Sequence, residues 1–254
     1  MLPIRAADLV YDSCLALVYP QACTVCGDSV ESRAFGVACE KCWQATNIFS
    51  GTETACWKCG AISNRTGIPA GLAISAEEIR CRNCEADAFT VARACGAYEG
   101  ALRASVLQLK REPHVCRRLV DLLVDVQRRY PLNQATRVVP VPLHREREKT
   151  RGFNQASMIA QALSAAVSLP IDEVSLVRTG HTTRHRAGMD ARDRRASVDT
   201  AFEASHPALI AGERILLIDD VFTTGATVSA CARALFGANA AEVFVLTIAR
   251  PLPY

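Results

Sequence analysis

Residues 215–227 read Ile-Leu-Leu-Ile-Asp-Asp-Val-Phe-Thr-Thr-Gly-Ala-Thr, and they concentrate more chemistry than any other stretch of the chain. Ile215 to Ile218 suit a buried strand, and Asp219 and Asp220 stand where that strand would end. A hydroxyl-rich loop follows, Thr223, Thr224, Gly225, Ala226 and Thr227. A helical pattern then begins, with Val228, Cys231 and Leu235 on one face and Gly237 as its stop. Strand, polar loop and helix start together make a phosphate cradle. The first backbone N–H groups of a helix are unpaired, and the helix dipole favours an anion beside them. Gly225 lets the backbone come close to a ligand. The acidic pair repels a phosphate, so it suits sugar hydroxyls, a divalent cation, or both. An ordinary buried strand before a capped helix does not require two adjacent aspartates at its end.

This stretch resembles the signature of type I phosphoribosyltransferases, which bind phosphoribosyl pyrophosphate (PRPP), and the likeness runs through all thirteen positions. The resemblance implies that Asp219 and Asp220 contact the ribose hydroxyls and that Thr223–Thr227 hold the 5-phosphate. It also implies that Mg²⁺ accompanies the PRPP.

The cysteines carry a second kind of chemistry. Twelve are present, and eight form Cys-x-x-Cys pairs in the first third of the chain: Cys23/Cys26, Cys39/Cys42, Cys56/Cys59 and Cys81/Cys84. Two-residue spacing lets both thiolates face one metal from a tight turn, and Gly27 and Gly60 follow two of the pairs. Two pairs make one tetrahedral site. The expectation is therefore two structural zinc ions, one on Cys23, Cys26, Cys39 and Cys42 and one on Cys56, Cys59, Cys81 and Cys84. Sequential pairing closes the shorter loops, and a crossed arrangement remains open. A disulfide framework is the competing reading. No secretory signal is recognisable, so a reducing cytoplasm and metal-bound thiols are expected. Cys14, Cys95, Cys116 and Cys231 read as small buried hydrophobes.

Around these groups, 254 residues at 50% apolar content allow one sizeable domain and a smaller one. A net charge of +3 does not by itself argue for nucleic acid, and no apolar run is long enough for a membrane span. The expected division is an N-terminal amphipathic helix over 1–20, a cysteine module over 21–88 and a larger domain over 89–254. Strands are expected at 90–98, 137–141, 175–177, 214–218 and 242–249. Helices are expected over 102–110, from Pro113 to a stop at Pro131, and from about Phe153 through Val167. Alternation of this kind indicates an α/β domain with a mostly parallel sheet and helices on both faces. Ligands in such sheets bind at the carboxyl ends of the strands.

Two basic segments complete the picture. Val139–Gln155 begins where a strand ends and carries His144, Arg147, Lys149 and Arg151, which suit a diphosphate, His144 and Arg151 foremost. The alternative is a solvated loop neutralised by Glu146 and Glu148. Residues 178–195 hold Arg184 and Arg186 among further arginines, a candidate hood loop over the site, a grip for a nucleic-acid backbone, or a surface loop.

Val-Pro-Leu-His at 141–144 with Arg-Gly-Phe-Asn-Gln at 151–155 is similar to the ComF family, bacterial proteins linked to natural competence. That likeness runs from about Cys23 to Arg250 and implies a double zinc ribbon before a phosphoribosyltransferase domain. The 139–144 turn then corresponds to the pyrophosphate loop. It implies an enzyme with Asp219, Asp220, Arg147 and Arg151 at its catalytic centre, passing a phosphoribosyl group to an unidentified nitrogen nucleophile. The alternative it leaves open is a non-catalytic protein that works with single-stranded DNA or a competence helicase. The chain departs from the usual hood pattern at Arg186 and Ser197. Trp43 and Trp57 follow zinc-ligand cysteines and read as covers for the metal knuckles.

Overall fold

The computed structural model describes residues 21–53, 56–62, 79–179 and 201–252. The expected N-terminal helix over 1–20, with Cys14, lies outside the described residues, and so do Arg184 and Arg186 of the candidate hood loop. The strands are β1 (Val91–Ala97), β2 (Arg137–Pro140), β3 (Leu176–Arg178), β4 (Phe202–Ala204), β5 (Arg214–Val221) and β6 (Glu242–Arg250). The helices are α1 (Glu40–Ala45), α2 (Gly100–Leu109), α3 (Arg117–Gln127), α4 (Arg145–Arg151), α5 (Gln155–Val167) and α6 (Ala226–Gly237).

The main sheet is wholly parallel, in the order β1-β6-β5-β2. Its central strand β5 explains why the sequence reads as a continuous apolar run. Ile215 and Leu217 pack on one face with Val228, Cys231 and Leu235 of α6. Leu216 and Ile218 pack on the other with Leu102 and Val106 of α2, Leu119 and Leu123 of α3, and Ile159 and Leu163 of α5. All four β5 residues are fully buried. Each contributes about 2 kcal/mol of burial, so none can be polar without a large cost.

Both sheet edges are covered, as a parallel sheet requires. Residues 47–49 run along β1, where Phe49 N–H donates to Cys95 O at 2.9 Å and Ala97 N–H to Asn47 O at 2.9 Å. Gly96 permits this approach, since a Cβ there would sit 2.5 Å from Asn47 O. On the far edge, Val138 N–H donates to Pro170 O at 2.8 Å, and Asp172 N–H donates to Val138 O at 2.9 Å.

Three expectations need correction. The run at 175–177 does not join the main sheet; as β3 it pairs antiparallel with β4 in a separate two-stranded sheet. The β2 edge is already taken by residues 170–172, so the chain turns away before β3 begins. The helix expected from Pro113 starts at Arg117, because buried Cys116 is held extended as its N-cap against the first cysteine module. The stretch 145–151, read as loop, is helix α4. Its first turn carries Glu146 and Glu148 and its last carries Lys149 and Arg151, a charge order that suits the helix dipole.

The cysteines form two clusters, Cys23/Cys26/Cys39/Cys42 and Cys56/Cys59/Cys81/Cys84, with the sulfurs in each within 4.8 Å of one another. Cys23–Cys42 and Cys26–Cys39 are 3.7 and 3.6 Å apart, and Cys56–Cys84 and Cys59–Cys81 are both 3.6 Å. A tetrahedral zinc–thiolate site places its sulfurs about 3.8 Å apart, so both sets fit zinc. Burial raises the Cys23 thiol, but amides at Cys39, Cys26 and Val25 outweigh it and hold it at about 6. Cys56 sits at about 7 by the same opposition, through amides at Cys59 and Cys81. Each cluster thus has one thiol ready to ionise onto a metal.

The two modules pack on opposite faces of the sheet. Cys23, Cys39, Cys42 and Trp43 share a core with α2 and α3, whereas Cys56, Cys59, Cys84 and Phe89 share one with α6. Trp43 is buried and donates from Nε1 to Phe35 O at 2.9 Å. Loss of either metal therefore exposes part of the main core. We expect elemental analysis to find two zinc ions per chain. Cys56→Ser/Cys59→Ser should leave one and lower Tm by at least about 5 °C; an unchanged Tm would contradict the shared core.

Candidate functional site

β5 is longer than its apolar run. It continues through Asp219 and Asp220 to Val221, with Asp219 in register with Thr247 of β6. β2 lies on the other side, its Pro140 opposite Ile218, and Val141 N–H extends the ladder to Ile218 O at 2.9 Å. The carboxylates therefore stand at the carboxyl edge of the sheet, next to the start of the 139–144 turn.

Alternation along β5 sends the two side chains to opposite faces. Asp219 Oδ1 accepts from the Asp220 N–H at 2.8 Å. Asp219 lies on the α6 side, where its charge is felt by the buried Cys231 thiol. The residue keeps some exposure, yet burial of its carboxyl, followed by the Asp220 charge, pushes it up to about 8. Asp220 lies on the α2 side, and Lys110 Nζ is 3.1 Å from its Oδ2.

The turn after β5 is held at both ends. Phe222 N–H donates to Ala249 O at 3.0 Å, and Phe222 packs edge-on against Phe89 with ring centroids 5.8 Å apart. Thr223, Thr224 and Thr227 are exposed. Gly225 is the N-cap of α6 in the left-handed region, φ 78°, and Thr224 Oγ1 accepts from the first helical N–H, Ala226, at 3.4 Å. A Cβ at Gly225 would lie 2.9 Å from Phe222 Cζ and 3.3 Å from Asp87 Oδ2, so only glycine fits. The second cysteine module reaches this point: Ala88 N–H donates to Ser229 Oγ at 3.0 Å, and Lys58 Nζ donates to Asp87 O at 2.6 Å. A helix start with exposed hydroxyls beside it can take an anion.

The basic residues of 139–155 are placed less directly. His144 is the N-cap of α4; its Nδ1 accepts from Glu146 N–H at 3.3 Å and lies 4.0 Å from Glu146 Oε2. Arg147 and Lys149 are exposed on α4, and Arg151 donates to Gln155 Oε1 at the start of α5. Among the described residues, no ion pair joins these side chains to Asp219 or Asp220. β3 and β4, which flank the candidate hood loop, pack on α6. A separate cleft against the first cysteine module, lined by Arg33, Gly36, Ser105, His114 and Cys116, holds none of the groups above.

Lys110 was not singled out by sequence. It read as the last residue of a helix, and only the course of α2 over the sheet makes it a neighbour of Asp220. Asp87 was likewise passed over, as a residue just beyond the last cysteine pair.

Comparison with known proteins agrees with this architecture. The double zinc ribbon domain matches residues 14–85, and the phosphoribosyl transferase domain matches residues 149–252. The DNA utilization protein YhgH of Escherichia coli (strain K12) is 30% identical over 243 residues, covering 93% of this chain and 100% of that protein. Competence protein F of Haemophilus influenzae is 35% identical over 135 residues, 52% of this chain and 58% of that one. Competence protein ComFC of Bacillus subtilis is 34% identical over 114 residues, 44% of each. Among solved structures, a glutamine PRPP amidotransferase from B. subtilis aligns over 58% of this chain and 26% of its own, at 18% identity and a TM-score of 0.36. With the two cysteine clusters ahead of a parallel sheet of phosphoribosyltransferase type, and a relative matched along its whole length, the chain belongs to the ComF family.

Proposed function

We propose that the chain binds Mg²⁺–PRPP and transfers its phosphoribosyl group to a nitrogen nucleophile, releasing pyrophosphate. The observation that carries this reading is the glycine-capped, hydroxyl-rich start of α6 one short turn after two carboxylates at the end of β5. In this reading the N–H groups and hydroxyls of Thr223, Thr224, Gly225, Ala226 and Thr227 receive the 5-phosphate. Asp219 and Asp220 accept from the ribose hydroxyls, which fixes the sugar with its C1 toward the 139–144 turn. These two carboxylates are hard oxygen donors that would hold a Mg²⁺ brought with the diphosphate, and the ion would supply charge neutralisation there. The C1–O bond breaks as the C1–N bond forms, and pyrophosphate leaves with the bonding electrons through an oxocarbenium-like transition state. Arg147 and Arg151, on the helix that follows the turn, offset the charge that builds on the leaving group, with His144 at the turn itself. Arg184 and Arg186 would close over the ligand from the hood loop. Metal-bound thiols suit a reducing cytoplasm.

A second reading has its own support. Relatives carry names that refer to DNA utilization and competence. Beside the second zinc module, the Arg93 guanidinium lies 4.8 Å over the Trp57 ring, and Trp57 neighbours Tyr130, which is 55% exposed. Aromatic rings flanked by arginine suit unpaired bases. In that reading the PRPP pocket is kept for regulation or structure, and the partners are single-stranded DNA or a helicase of the uptake machinery.

Calorimetry with Mg²⁺–PRPP tests the pocket. Intact protein should bind, and Asp219→Asn/Asp220→Asn should bind at least about tenfold more weakly. No heat from the intact chain would remove the enzyme reading and leave the DNA reading.

The diacid should also cost stability, as functional groups often do. Asp219 keeps its proton in the folded chain up to about pH 8, whereas the unfolded chain loses it near about pH 4. Between these values the folded state binds more protons, so stability falls as pH rises. Asp219→Asn should therefore melt above the intact protein at pH 8, with the gap closing toward pH 4; a gap independent of pH would contradict this.

A further inference from the structure

We propose that Lys110 is a positioning residue for sugar recognition: its ammonium fixes where the Asp220 carboxylate points. The inference rests on the pocket proposed above and adds a member to it. α2 starts at Gly100, directly after the turn that follows β1 at Ala97. Its ten residues span about 15 Å. β1 and β5 are two strand positions apart, which is about 10 Å. The helix is thus long enough to run from the edge of the sheet to the end of β5, and its C-cap residue is Lys110.

The arrival is specific. Lys110 Nζ lies 3.1 Å from Asp220 Oδ2, with the lysine side chain 35% exposed and the aspartate side chain 11%. That oxygen is buried and has no hydrogen-bond partner among the described residues, so the ammonium is the group there that offsets burying it. Asp219 is anchored differently, through the Asp220 N–H. A buried carboxylate in a site for a polyanion is costly without a cation close by. Lys110 supplies that cation on the α2 side, away from the phosphate loop. It holds the Asp220 carboxylate on the α2 side and leaves its remaining lone pairs for a sugar hydroxyl.

This role separates sugar binding from phosphate binding. A lysine that merely held the fold together would support both alike. The test compares intact protein, Lys110→Gln and Lys110→Arg for affinity toward Mg²⁺–PRPP, ribose 5-phosphate and inorganic phosphate, the last by competition. Tm and zinc content are measured alongside. Lys110→Gln should weaken both sugar phosphates about tenfold while leaving phosphate within about twofold, and Lys110→Arg should restore most of the loss. Sugar-phosphate affinity unchanged in Lys110→Gln overturns the inference while the pocket reading stands. Phosphate affinity falling in step with sugar affinity overturns it too, since the lysine would then be structural. Intact protein that binds phosphate but neither sugar phosphate overturns the pocket reading and this inference together. Should Lys110→Gln not fold, Lys110→Arg still decides: intact-like affinities for all three ligands support the role, and loss of all three contradicts it.

Discussion

A helix start favours an anion through its dipole, and in this chain it sits, on a glycine N-cap, one short turn beyond a buried strand that ends in two carboxylates. Most of the surrounding architecture serves that juxtaposition. β5 is clamped between β2 and β6, so its carboxyl end cannot drift. Gly225 closes the turn in a conformation and a space that no larger residue fits. Phe222, beneath the turn, is wedged against Phe89, and the Arg250 guanidinium lies 5.2 Å over its ring. Desolvated carboxylates work against stability, and a glycine-capped helix start lies one turn away. Their coincidence at one edge of the sheet is what the proposed binding site rests on.

The zinc modules take their place in this frame as parts of the core. The first closes the face covered by α2 and α3, and the second closes the face covered by α6. The second also touches the turn itself, through Asp87 beside Gly225 and Ala88 on Ser229. The second cysteine module and the shape of the turn after β5 are therefore mechanically joined. A chain this poor in large apolar residues before Val91 gains from the metal what packing alone would not supply.

Much of this was legible because the relevant signals are local. Residues 215–227 carry strand, acid pair, loop and helix start in one uninterrupted run. The cysteine pairs announce their chemistry by spacing, and the structure groups them sequentially. What escaped is what depends on tertiary placement. α4 has no apolar stripe, so periodicity cannot reveal it; its cap, His144, and its ordered charges make the helix. β3 is three residues long, too short to disclose that its partner is β4 and not the main sheet. Lys110 ends a helix like any other lysine until α2 brings it to Asp220. Arg147 and Arg151 were read as facing a diphosphate, and only the fold shows that they sit on α4, one exposed and one donating to Gln155.

The central claim is that one pocket at the end of β5 holds both ends of a phosphorylated sugar. A crystal structure of the intact chain with Mg²⁺–PRPP tests it most directly. The account predicts the 5-phosphate within hydrogen-bond distance of the backbone N–H groups of residues 223–227 and the ribose hydroxyls on Asp219 and Asp220. A ligand bound elsewhere, or a saturated crystal with that turn empty, would contradict it.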